Sequence, residues 1–96
     1  MIESREELRK IIHTSCYEKG DFTLSSGQSS HHYVNCKPVT LSGTGLSLVS
    51  FLLLEQINSD SLAVAGLTLG ADPLVSGVVL AASYLDRTLD ALIVRK

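Results

Sequence analysis

Ninety-six residues leave room for one small domain and exclude a two-domain enzyme within this stretch. Hydrophobic residues make up 45% of the chain and charged ones 19%, too apolar a balance for intrinsic disorder. Eight Lys and Arg against ten Asp and Glu leave a formal charge of -2, so there is no overall electrostatic footprint for nucleic acid or an anionic membrane, and any anion site must be local.

In chain order, Ser4 and Glu7 form an S-x-x-E capping pattern, after which Leu8, Ile11, Ile12 and Cys16 recur on one face until Gly20 offers a stop. The spacing predicts an amphipathic helix over 5–19. Phe22, Thr23 and Leu24 lead into the turn-rich stretch 25–29, and residues 32–37 alternate up to Pro38, a pattern that predicts a β-hairpin. Ser42 opens a second helix through about residue 57, with Leu46, Val49, Leu52, Leu53 and Ile57 on its apolar side. Residues 62–66 (LAVAG) are wholly apolar, as expected for a strand covered on both faces of a parallel sheet. Asp72 and Pro73 suit the N-cap and first position of a helix over 74–84, and 91–94 (ALIV) predicts a second buried strand.

The last three elements make one βαβ unit, for which a right-handed crossover is expected. Two parallel strands are not a stable sheet by themselves, because such sheets need several strands and helices on both faces. The expectation is therefore the first part of a larger α/β protein, or a chain whose missing layer another chain supplies.

Cys16 and Cys36 are too few for the disulfide framework of a small secreted domain, and the first ten residues read as a charged helix start rather than a signal peptide. The apolar run 46–54 is interrupted by Ser47 and Ser50 and falls far short of the ~20 residues that cross a bilayer. A cytoplasmic protein with free thiols and no membrane partner is expected.

In parallel sheets ligands bind beyond the carboxyl ends of the strands, and two features share that edge. One is the loop 66–72 (GLTLGAD), whose glycines let backbone N–H groups turn inward just before a helix N-terminus, a cradle suited to an anion. The other is the pair Arg95 and Lys96, a guanidinium fork and a point charge suited to phosphate oxygens. The loop matches neither the P-loop nor the dinucleotide fingerprint, so an ordinary strand-to-helix turn beside two solvated charges is the competing reading. His31, His32 and Cys36 are a poor metal set, because adjacent strand residues point to opposite faces. His13 reads as a surface residue and Cys16 as a small core residue, and no nucleophile with its base is visible.

Four stretches carry a further signal: F-T-L-S-S-G over 22–27, S-S-H-H-Y-V-N-C-K over 29–37, A-G-L-T-L-G-A-D-P over 65–73 and A-L-I-V-R-K over 91–96. In order and spacing they resemble the N-terminal half of the orotate phosphoribosyltransferase family. The resemblance implies a type I phosphoribosyltransferase fold, a Rossmann-like parallel sheet with an N-terminal hood, incomplete in this chain. Residues 1–41 would be the hood-like helix and hairpin, and 42–96 the first part of the α/β core.

It also implies conversion of orotate and 5-phosphoribosyl 1-diphosphate (PRPP), with Mg2+ bound to PRPP, into orotidine 5′-monophosphate and pyrophosphate in pyrimidine synthesis, by a homodimer with shared active sites. Tyr33 and Val34 would hold the orotate ring. Thr68, Leu69, Gly70 and Ala71 would cradle pyrophosphate, Arg95 would reach the partner subunit's PRPP site, and Lys96 would hold PRPP in its own subunit. The sequence departs from the family at Ser25, where many members have lysine, and at Leu69 and Gly70, where many have a Tyr-Lys pair. Lys37 is a candidate to supply part of the missing charge. The implied mobile loop and the 5′-phosphate loop are not among these residues, so the chain alone is expected to be inactive. A short non-catalytic interaction module derived from the same fold is the alternative.

Overall fold

Leu8, Ile11 and Ile12 are half-buried and Cys16 is buried, so the apolar stripe of the first helix faces inward as its spacing predicts. The computed structural model describes residues 2–95. Its elements are α1 (Ile2–Ser15), β1 (Tyr17–Thr23), β2 (Ser29–Val34), α2 (Lys37–Thr40), α3 (Gly43–Gln56), β3 (Ala63–Leu67), α4 (Asp72–Tyr84) and β4 (Asp90–Val94).

Helix α1 begins upstream of Ser4, so that residue lies inside the helix and is not its cap. The helix also ends at Ser15, before Gly20, because the backbone from Tyr17 onward pairs with β2. The hairpin is antiparallel, with Tyr17 opposite Val34 and Lys19 opposite His32, and Gly20 falls in the irregular stretch between Lys19 and Phe22. Its turn is closed by the Leu24 N–H donating to Gln28 C=O at 2.8 Å, with Gly27 at φ 88°. Strand β2 stops at Val34, short of the expected 32–37, because the Asn35 side chain accepts from the Lys37 N–H at 3.1 Å and starts α2.

Ser42 caps α3 as its residue type predicts: its Oγ accepts from the Gly45 N–H at 2.9 Å. The start of α4 differs from expectation. Ala71 is already helical (φ -85°, ψ -12°) and takes the cap position, leaving Asp72 and Pro73 inside the first turn and Asp72 without a capping bond. The cause is the preceding turn, in which the Ala71 N–H bonds to Leu67 C=O at 3.2 Å and the Asp72 N–H to Leu69 C=O at 3.1 Å, so the chain is wound one residue early.

At its other end α4 closes with Asp86 at φ 56°, the Arg87 N–H donating to Ala82 C=O at 2.9 Å and the Asp86 N–H to Ser83 C=O at 3.3 Å, a Schellman closure. The Arg87 guanidinium then donates to Asn58 C=O, tying this turn to the loop before β3.

The core lies between α3, α4 and the strand pair. Leu54, Val78, Ala81, Ala82 and Leu89 form it, with Phe51, Ile57, Val64 and Val79 packed against it. Strands β3 and β4 are parallel and adjacent, as the βαβ pattern predicts. They are not covered on both faces: Ala63, Ala65 and Leu67 are exposed, and so is every residue of β4. Helix α4 packs against both strands, and among the described residues nothing closes over the rest of the pair. No described helix is long and apolar enough to cross a membrane.

The tightest helix contact is at Gly77, where an added Cβ would lie 2.2 Å from Ser50 Oγ and 3.0 Å from Leu46 Cδ1. Glycine costs helix propensity there, and the approach of α4 to α3 is what requires it. Ser50 is itself buried, and its Oγ has no hydrogen-bond partner among the described residues. Gly77→Ala should therefore lower stability by about 1–3 kcal/mol in urea unfolding, despite its better helix propensity. Ser50→Ala should be close to neutral alone and should recover part of the loss in the double variant, since it removes the atom the new methyl meets.

Candidate functional site

The shared edge inferred from sequence is present in the backbone. Strand pairing runs from Ala63 opposite Asp90 to Leu67 opposite Val94, and the Thr68 N–H extends it by donating to Val94 C=O at 3.0 Å. The loop that leaves β3 is thereby pinned against the end of β4, and Arg95 is the next residue along. Arg95 is exposed. Lys96 lies outside the described residues.

Within the loop the backbone donors divide into two sets. Those of Thr68, Ala71 and Asp72 are spent on chain carbonyls, whereas those of Leu69 and Gly70 have no backbone partner among the described residues. Two adjacent free N–H groups just before the 13-residue α4 provide donors where the helix dipole favours an anion. The Thr68–Leu69 peptide is cis. Leu69 is 81% exposed, and an added Cβ on Gly70 would meet nothing, so the loop tip is open to solvent. Asp72 sets the opposite sign at the helix start, with its Oδ1 buried and unpartnered among the described residues.

The loop's position depends on Gly66. A Cβ there would lie 2.5 Å from Ala71 Cβ and 3.1 Å from Val75 Cγ1, so the strand can approach the start of α4 only without a side chain. The sequence reading took this glycine as conformational freedom for the loop; its role in the structure is close approach.

The remaining sequence-predicted residues lie on the hairpin side. Tyr33 stacks on Phe22, with ring centroids 5.4 Å apart. Val34 is on the other face of β2, where it lines a groove of about 510 Å³ with Tyr17 and residues of α1 and α3. The two side chains named together for one ring therefore project to opposite faces, and only the backbone between them could read a planar ligand jointly. Ser25 is exposed in the hairpin turn. Lys37 opens α2, which packs against α1 and α3, and no described hydrogen bond or ion pair joins its side chain to the 67–71 loop.

His31 and His32 split across the hairpin as strand alternation requires. His31 Nδ1 lies 3.3 Å from Asp21 Oδ1, and His32 Nδ1 meets the Tyr17 hydroxyl. Tyr17 also stacks on His13, with centroids 5.8 Å apart. The sequence reading missed this His13–Tyr17–His32 cluster. Its signal, a diagonal cross-strand pair plus a residue one helical turn upstream, becomes readable only once the register is known.

Comparison with known proteins agrees with the motif reading. No family model matches the chain. A curated orotate phosphoribosyltransferase from Thermosynechococcus vestitus is 52% identical over 96 residues, covering 100% of this chain and 51% of its own length. Among solved structures, a phosphoribosyltransferase from Corynebacterium diphtheriae superposes with a TM-score of 0.80 at 30% identity, over 98% of this chain and 51% of that one. The Mycobacterium tuberculosis orotate phosphoribosyltransferase in complex with inorganic phosphate gives 0.78 at 35% identity, over 98% and 55%.

The fold is thus that of the phosphoribosyltransferases, present here in part. The chain is similar to orotate phosphoribosyltransferases along its whole length and spans about half the length of the curated relatives it matches.

Because Ala71 and Val75 sit directly over Gly66, Gly66→Ala should displace the loop from β4 and cost about 1–3 kcal/mol of stability. Amide exchange at Thr68, whose N–H holds Val94 C=O, should accelerate more than exchange in α3.

Proposed function

We infer that this chain is the N-terminal part of an enzyme that joins orotate to PRPP, releasing pyrophosphate and forming orotidine 5′-monophosphate. The observation that carries this reading is the bond from the Thr68 N–H to Val94 C=O, with Arg95 next in sequence. It sets two free backbone donors beside the strand end from which Arg95 follows, an arrangement suited to a diphosphate in a site that a second subunit completes. The 52% identity to a curated orotate phosphoribosyltransferase supports the choice of substrates.

The reaction breaks the bond between the ribose anomeric carbon and a diphosphate oxygen, and positive charge builds on the ring as negative charge builds on the leaving group. Donors fixed where that negative charge appears lower the barrier without reorganising. The Leu69 and Gly70 N–H groups are the donors this chain contributes to its own site, where Lys96 is also assigned, and Arg95 is assigned to the same role in the partner's site. An orotate ring nitrogen attacks the anomeric carbon, and the backbone at Tyr33 and Val34 is assigned to holding that ring in line.

Magnesium belongs to this scheme as the counter-ion carried by PRPP. Among the described residues no three His, Cys, Asp or Glu side chains gather to hold a cation. The homodimer, with Arg95 serving the partner's site, is part of the same proposal. So is the cytoplasmic location expected of a pyrimidine-synthesis enzyme. The uncovered side of β3 and β4 supports a further layer of chain in the complete enzyme.

The 96-residue chain alone should form no orotidine 5′-monophosphate from orotate and PRPP, because it has no grip on the 5′-phosphate. Steady product from a mass-verified sample would refute the assignment of roles. In a complete enzyme containing this sequence, Arg95→Ala should raise the PRPP requirement and slow turnover, a loss on the order of 2–5 kcal/mol if the contact is desolvated. Mixing that variant with a subunit damaged elsewhere in the PRPP site should restore part of the activity. Unchanged PRPP kinetics would reduce Arg95 to a solvated strand-end charge.

A further inference from the structure

The two cysteines take no part in the chemistry above, and their positions suit a different one. Both are free thiols; Cys16 is buried and Cys36 exposed. The Asn35 N–H donates to Cys16 C=O at 2.9 Å, so Cys16 sits opposite Asn35 and continues the hairpin ladder beyond the Tyr17 and Val34 pair. Cys36 follows at once. In a regular strand its side chain would face away from Cys16, but the backbone turns helical there (φ -83°, ψ -3°) and the alternation breaks.

From that turn α2 begins. Cys36 C=O accepts from the Val39 and Thr40 N–H groups at 2.9 Å each, and Val39 is buried, as Cys16 is. The Cys36 thiol and the Val39 backbone both act on the Cys16 thiol, which puts it beside the turn that Cys36 opens. A one-residue offset across an antiparallel pair is within the Cα separation of roughly 4.4–6.8 Å that a disulfide spans.

We propose that Cys36 is a peroxide-reactive thiol and that Cys16 resolves its oxidised form as an intrachain disulfide. The Cys36 sulfur attacks the peroxide; an S–O bond forms, the O–O bond breaks, and the Cys36 proton leaves with the second oxygen as water or an alcohol. The Cys16 sulfur then attacks the sulfur of the Cys36 sulfenic acid. An S–S bond forms, the S–O bond breaks, and hydroxide leaves with the Cys16 proton as water. Two thiols lose two electrons, and the peroxide gains them.

The order of events follows from exposure, because only Cys36 is open to solvent in the folded chain. Burial, and after it the charge of Cys36, pushes the Cys16 thiol up, which leaves Cys36 as the sulfur that meets the oxidant first. The bridge would close a ring over residues 16–36 that contains the whole hairpin, including Ser25, Tyr33 and Val34, and would fasten it to the start of α2.

The test is intact-mass analysis of the folded protein with one equivalent of hydrogen peroxide, and its readout is independent of any transferase activity. The wild type should lose about 2 Da, both thiols should resist alkylation after unfolding, and peptide mapping should join residue 16 to residue 36. Dimedone added at early times should capture sulfenic acid at Cys36 in the wild type, which avoids relying on a variant at buried Cys16. Cys36→Ser should abolish the loss of mass and leave Cys16 reduced. Over-oxidation of Cys36 with Cys16 still a free thiol would overturn the proposal, and so would a disulfide between Cys36 residues of two chains or a 16–36 bridge that forms only in denaturant.

Discussion

The parallel pairing of β3 with β4 is the constraint on which the rest of the candidate site depends. Neither strand has a side-chain network that would fix its end; their relative position comes from the backbone ladder and from α4 packed across it. The ladder continues one step past the strand through the Thr68 N–H, and that step turns a flexible connection into a loop with a defined origin. Gly66 lets α4 start immediately above the strand, so the free donors of the loop, the helix N-terminus and Arg95 converge on one edge. A local anion site in a chain of net negative charge is possible for this reason: close range, not overall potential, supplies the attraction.

The same economy leaves much apolar surface unshielded. Helices α3 and α4 bury one another at Gly77 and Ser50 and α4 packs on the strand pair, yet Leu92, Ile93 and Val94 remain exposed. A parallel pair with one open side is an arrangement that water penalises. The chain spans about half the length of its curated relatives, and their added length is a natural source of the missing cover.

The hairpin side has a different character. It is held by its own ladder, by the Tyr17 contacts with His13 and His32 and by Cys16 at the base, with few apolar side chains fully buried. A segment stabilised mainly by backbone pairing and exposed rings opens more readily than the helix core. The orotate assignment therefore falls on a more pliable part of the chain than the diphosphate assignment does.

Local signals in the sequence were enough to determine the order of the longer elements, though not the short α2, which begins where the strand was expected to run on. Ser42 caps α3, the LAVAG and ALIV runs are parallel strands, the F-T-L-S-S-G stretch turns within a hairpin, and the four motifs lead to the phosphoribosyltransferases, each because the information lies within a few residues. What the tertiary structure decided depends on contacts across the chain. It moved the N-cap of α4 from Asp72 to Ala71 through bonds made by the preceding turn, and it ended α1 at Ser15 because β2 claims the backbone from Tyr17. It divided Tyr33 from Val34 across the hairpin and gave Gly66 and Gly77 their roles as contact points. Such facts follow from which distant atoms share a space, and spacing along a chain of 96 residues carries no record of that.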